Sequence, residues 1–280
     1  MLAPPLAFAL EPYLHLPLIG LCIVGAMMLL LWIAHIPLKD AGIVDVGWTV
    51  GLVVLAVLYA LLGDGVPWRR GLIAALVGVW GLRLATHLLR DRVVGKPEDG
   101  RYRAMRASLG DRFVAWMLPF FLAQGVLDVV LSAPFLLAAR DPDASVRVTD
   151  VAGVAVFAIG FVGVAVADRQ LAAWRADPSN RGKTCRSGLW SVSRHPNYFF
   201  EWILWCGYAV VATPAPYGWI AWTAPALILL FVTCLTGIPY TERQALKSRG
   251  DDYRDYQATT SAFLPWFRRN RAPRAAARHG

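Results

Sequence analysis

Ser187-Gly188-Leu189-Trp190-Ser191-Val192-Ser193-Arg194-His195-Pro196-Asn197-Tyr198-Phe199-Phe200-Glu201-Trp202 sets charge and amide chemistry at the mouth of an apolar helix. Ser187-Gly188 is a turn signal, and Pro196 suits the first turn of a helix, where its missing N–H costs nothing. A helix therefore begins near Pro196. Asn197 and Glu201 stand at i and i+4 on it and face the same way from a segment otherwise made of Tyr, Phe, Trp, Ile and Leu. A carboxylate in such surroundings needs a partner.

Outward from this stretch the chain stays apolar. Of 280 residues 57% are hydrophobic and only 17% charged, too few for an ordinary soluble domain. Several runs continue for about 20 residues with almost no charge, enough at about 1.5 Å per residue to cross a bilayer core. The reading is an all-α polytopic membrane protein with seven spans, at 17–37, 43–63, 70–90, 113–139, 150–168, 196–213 and 217–238. They form a single helical domain over 1–267. From Arg268 to residue 280 follows an Arg/Ala-rich tail, expected to be disordered or to rest on anionic lipid. Met1 to Leu10 carry no basic n-region and no typical cleavage site, so no removable signal peptide is expected.

The net charge of +9 comes from basic residues gathered between apolar runs, above all in 90–112, in 169–194 and after Tyr240. The positive-inside rule puts those segments in the cytoplasm, with the N-terminus outside and the C-terminus inside, and no nucleic-acid partner is needed to explain the charge. Cys22, Cys185, Cys206 and Cys234 form no close pair, so neither a disulfide framework nor a metal site is indicated.

Several ionisable groups lie at membrane depth, where they face a cavity or a partner as a rule. The second span opens with Asp45-Val46-Gly47-Trp48-Thr49, and the fourth holds Gln124 and Asp128. Arg83, His87 and Arg90 recur at i, i+4 and i+7, which makes one face of the third span polar at its cytoplasmic end. Asp168 and Arg175 are likewise seven apart, on a helix leaving the membrane.

Arg194-His195-Pro196-Asn197-Tyr198 with Gly188-Leu189-Trp190 and Glu201, then Tyr253-x-x-Tyr256 and Phe263-Leu264-Pro265-Trp266, resemble the C-terminal half of the steroid 5α-reductase family, in its bacterial branch. Asp168-Arg169-Gln170 with Arg175, Trp80-Gly81-Leu82-Arg83-Leu84 and Asp45-Val46-Gly47-Trp48 extend the resemblance over most of the chain. It implies an NADPH-dependent reductase of the bacterial inner membrane, saturating an activated C=C bond of a lipid or steroid-like substrate drawn from the bilayer. It also implies a cofactor site made by Arg90, Arg101, Arg103, Asp168, Arg175, Arg194, His195, Asn197, Tyr198, Glu201, Glu242 and Tyr253. Where that family holds the substrate carbonyl with a Gln-Glu pair and a Tyr, this chain offers Asp45 and His87, its candidate catalytic pair. The chemistry of NADPH fits independently: its phosphates need cations, and no Gly-x-Gly-x-x-Gly turn is present to bind them in the Rossmann manner.

Isoprenylcysteine carboxyl methyltransferases share an Arg-His-Pro-x-Tyr element and a Tyr-x-x-Tyr, and they use S-adenosylmethionine. A methyltransferase of a lipid-linked carboxylate or thiol is thus the alternative, and a non-catalytic lipid-binding protein a third.

Overall fold

The computed structural model describes residues 6–267, with side chains from Leu14 onward; the tail expected over 268–280 lies outside the described residues. All regular structure among the described residues is helical. Six helical stretches are long and apolar enough to cross a membrane, Leu14–Leu38, Ile43–Leu62, Pro67–Val93, Gly100–Leu131, Val148–Ala176 and Gly218–Arg249, and they mark an integral membrane protein. The seventh expected span, 196–213, is a helix of 17 residues, Pro196–Ala212, shorter than the other six. Leu30, Leu61, Leu82 and Val162 are among the large apolar side chains left exposed, as lipid-facing surfaces require.

The chain divides into two compact units. The first contains α1 (Leu6–Leu38), α2 (Ile43–Leu62), α3 (Pro67–Leu88), α4 (Gly100–Leu109), α5 (Phe113–Leu131) and α6 (Ala133–Ala139). α2 is its centre and touches α1, α3, α5 and α6. Close approach of these helices rests on small residues: a Cβ added to Gly81 would collide with Val53, and one on Gly47 with Leu31. The fourth expected span, 113–139, is two helices rather than one, because Pro134 has no N–H to continue the ladder and the break falls at Ser132. α3 continues as a π-helical turn, Leu89–Val93, which carries Arg90 and Arg92.

At the α2–α3 connection the first unit is tied by charge. Arg69, fully buried, donates to the carbonyl oxygens of Asp143 at 2.6 Å and Ser145 at 2.9 Å and pairs with Asp141 at 3.4 Å. Arg147 joins Asp141 at 2.5 Å and Asp143 at 2.7 Å. Asp141, Asp143 and Arg147 of the 140–149 loop thus bind one another and Arg69, while Arg140 pairs with Asp64 at 2.8 Å.

The second unit contains α7 (Val148–Ala176) from Asp150 on, α8 (Pro196–Ala212) as far as Val210, the end of α9 (Thr223–Leu230), α10 (Ile238–Arg249) and α11 (Asp251–Thr259). α7 and α8 cross almost backbone to backbone. A Cβ on Gly160 would lie 2.5 Å from the Leu204 amide nitrogen, and one on Gly207 2.7 Å from that of Phe157. Another π-helical turn, Phe231–Leu235, leads into α10.

Candidate functional site

Two polar clusters stand out, one in each unit, and each is organised by a single carboxylate.

In the first unit that carboxylate is Asp45, in the first turn of α2. Asp99 caps α4 by accepting the Arg101 N–H at 2.9 Å, as an Asp at the N-cap does. The cap fixes the next two side chains. Arg101 reaches Asp45 Oδ2 through Nη2 at 2.6 Å and Asp99 through Nε at 3.0 Å, while the Tyr102 hydroxyl donates to Asp45 Oδ1 at 2.8 Å. Arg92, from the π-helical turn, lies 3.8 Å from Asp45 and 3.7 Å from Asp99. Beside them Glu98 accepts the Ala41 N–H at 2.9 Å and a two-pronged contact from Arg106, at 2.7 and 3.1 Å.

The electrostatics follow from these contacts. Burial works against the charge on Glu98 and on Asp99, but their arginine and backbone partners outweigh it, and both carboxyls titrate below their ordinary range. Asp40, desolvated and close to Glu98 and Asp99, goes the other way, although the Gly42 N–H eases it.

Asp45 and His87, the candidate catalytic pair, have different partners. Asp45 is held by Arg101 and Tyr102, whereas His87 Nδ1 lies 3.2 Å from Asp91, one turn along its own helix. Arg83, His87, Arg90 and Asp91 line a shallow groove of about 500 Å³, so the i, i+4, i+7 polar face exists. Arg103, one residue past Tyr102, points to the exposed side of α4.

In the second unit the organising carboxylate is Glu242, in α10. Arg194 Nε donates to its Oε1 at 2.6 Å, His195 Nε2 lies 3.3 Å away and the Tyr253 hydroxyl 3.4 Å. Gln257 takes the second oxygen at 2.7 Å. Arg194 Nη1 also donates to the carbonyl oxygens of Gln257 at 2.9 Å and Thr260 at 2.7 Å. Tyr256 donates to the backbone carbonyls of Trp190 and Ser193. The Arg-His-Pro stretch and the Tyr-x-x-Tyr stretch, some sixty residues apart, are therefore one structure. Burial pushes the His195 imidazole below its ordinary 6.5, against the pull of Glu242. Tyr253 is raised by burial and by the Glu242 charge.

One turn into α8 the pattern changes. Asn197 Nδ2 donates to Asp168 Oδ1 at 3.3 Å, the Tyr198 hydroxyl bonds Thr241 Oγ1 at 3.2 Å, and Glu201 accepts Trp205 Nε1 at 3.2 Å. Trp190 Nε1 donates to the Ala167 carbonyl at 2.9 Å and Gln170 accepts the Leu189 N–H at 2.9 Å, which ties the stretch before α8 to the end of α7. Arg169, Arg175, Arg181 and Lys183, at that end and just beyond, are exposed. Arg186 is spent on Asp252, at 2.7 Å. The indole N–H groups of Trp174 and Trp202 are buried without a hydrogen-bond partner.

Sequence reasoning missed Tyr102, Glu98, Asp99 and Gln257. Asp99-Gly100 ahead of a helix is a cap signal that would have placed Arg101 and Tyr102. Nothing local marks Gln257, and Glu98, although Arg106 stands eight residues on, takes its other partner, the Ala41 N–H, from a distant stretch.

Helical units with arginine-bound carboxylates and six membrane-crossing segments define a polytopic membrane protein with a polar site on each unit. Over residues 31–260 the chain matches the family described as "Protein of unknown function (DUF1295)", and it belongs to that family, which is related to steroid 5α-reductase-like proteins. No curated protein and no solved structure matches the chain.

Proposed function

We propose that this protein is a membrane-embedded, NADPH-dependent reductase acting on an activated C=C bond of a lipid or steroid-like molecule, in the bacterial inner membrane. The observation that carries the proposal is the start of α8, where Asn197 bonds Asp168 of α7 and Glu201 stands one turn further on, with the basic residues of the α7 end exposed. Asn197 and Asp168 are already paired at 3.3 Å, and Glu201 follows one turn along. A dinucleotide needs cations for its phosphates, together with amide and carboxylate groups for ribose and carboxamide. Arg169, Arg175, Arg181 and Lys183 are exposed, and the buried indole N–H groups of Trp174 and Trp202 have no protein acceptor. These residues fit the group.

In this reading Arg175 and its exposed neighbours hold phosphate. Asn197, Asp168 and Glu201 orient the rest of the cofactor. When bound, NADPH supplies a hydride. Arg194, His195, Glu242 and Tyr253 act on the cofactor indirectly, by fixing the chain that enters α8; they are positioning residues. Arg101, engaged by two carboxylates, positions Asp45.

Thermal unfolding of detergent-purified protein with NADPH, NADH and S-adenosylmethionine side by side tests the proposal, because a ligand that binds only the folded state raises its apparent stability. NADPH should stabilise the wild type and leave the Asn197→Ala, Glu201→Ala double variant unmoved. Stabilisation by S-adenosylmethionine alone would replace the reductase by a methyltransferase.

A further inference from the structure

One titratable group in the first unit is unused by either cluster. Asp128, on α5, is fully buried, and neither carboxylate oxygen has a hydrogen-bond partner among the described residues. A Cβ on Gly51 of α2 would collide with Oδ2, and the Met27 methyl of α1 lies 3.3 Å from the same point. Glycine at position 51 is what leaves room for the carboxyl. One helical turn before Asp128, Gly125 packs against Val24 and Met28 of α1. The group therefore lies in an apolar seam between α1, α2 and α5.

The ionisable groups along the facing helices are all committed elsewhere or distant. On α1 they are His15 and Cys22, both exposed, and His35, about two turns beyond Met27, with Nδ1 on the Trp32 carbonyl and its ring against Phe121. On α2 they are Asp45, bound by Arg101 and Tyr102, and Tyr59, bound to Ser132 at 3.1 Å. Among the described residues no cation reaches Asp128. An ionised carboxylate there, without cation or N–H donor, would carry a desolvation cost of several kcal/mol, whereas a neutral acid carries only that of a hydroxyl and a carbonyl.

From this geometry we infer that Asp128 is a proton-binding site inside the membrane domain: the seam of α1, α2 and α5 closes around a protonated carboxyl. It takes up one proton as it closes and gives it up when the helices part and water enters. Any ligand that opens the seam is thereby coupled to a proton. The inference does not depend on the cofactor proposed above.

Infrared spectroscopy of folded protein in lipid nanodiscs at neutral pH, with and without 4-¹³C-aspartate, tests it. The expected result is a protonated-carboxyl C=O band that shifts with the label, resists exchange in D2O and is lost in Asp128→Asn. Absence of a protonated-aspartate band in the folded wild type overturns the inference, and so does a band that survives in Asp128→Asn. If Asp128→Asn does not fold, titration of the wild type decides. The band should persist well above about pH 4, where exposed aspartates lose their protons, and vanish on unfolding; a band that titrates away with the exposed aspartates overturns the inference.

Discussion

Asp45 and Glu242 do similar things by different means. Each is a carboxylate gripped by an arginine at 2.6 Å and a tyrosine hydroxyl. Around Asp45 both ligands are neighbours in one short helix that Asp99 caps, so a single local event presents them together. Around Glu242 the ligands come from the entrance of α8 and from α11, and the carboxylate staples stretches distant in sequence. The Asp45 pair is also wetter, 24% and 29% exposed for Asp45 and Arg101 against 15% and 11% for Glu242 and Arg194. The same chemistry is thus a local latch in one unit and a long-range staple in the other, and the staple should matter more to folding.

Substitution at the two carboxylates breaks the comparison most directly. Glu242→Ala strands a largely buried guanidinium and should cost about 3 kcal/mol or more, since removing one partner of a buried pair leaves the other uncompensated. Asp45→Ala, beside more solvent, should cost about 1–2 kcal/mol. In a double-mutant cycle with Arg101→Ala, the Asp45 loss should be mostly shared, because Arg101 serves that carboxylate. Denaturant unfolding of the wild type and these four variants measures both, and a larger loss at Asp45 than at Glu242 would reverse the ranking.

Acid separates the clusters more gently. His195 titrates below 6.5 in the folded protein, so the unfolded chain binds more protons as pH falls through that value, and stability contributed by the second unit declines there. Glu98 and Asp99 titrate below 4.5 and 3.8, so what they contribute is intact above those values and lost as pH drops through them. Asp40, raised, works in the opposite sense and offsets part of that loss. In thermal unfolding from about pH 7 to about pH 4, His195→Gln should flatten the upper part of the curve and Glu98→Gln the lower part. If His195→Gln leaves the slope below pH 6.5 unchanged, the staple does not contain a titrating histidine.

The smallest effect is expected at the exposed His87–Asp91 pair. His87→Ala should change stability by no more than about 0.5 kcal/mol, as solvent-exposed pairs do. Read with NADPH present, the same variant sharpens the functional side: a loss of turnover with stability unchanged would return His87 to the chemistry.

The membrane class was legible before any coordinates, since six of the seven expected spans coincide with helices of sufficient length and apolarity. The seventh, α8, is a helix where one was expected, but shorter. Less legible was the use of each charge. Arg194, His195, Glu242 and Tyr253 stood out as motif members, and they do converge, yet mainly on one another. Arg101 read as a phosphate ligand and is a carboxylate's partner. Glu98 could not be read at all, because its role depends on the Ala41 N–H, far back in the chain.

The sequence by itself determined that this is an all-helical membrane protein with its basic residues gathered between apolar spans, because apolar length and loop charge belong to each segment alone. Tertiary structure alone decided which carboxylates Arg101, Arg106, Arg186 and Arg194 serve, and that Asp128 has no partner among the described residues. Those are properties of pairs: an ion pair or an orphaned carboxyl exists only once helices from different parts of the chain have packed, and no residue carries that information in its own neighbourhood.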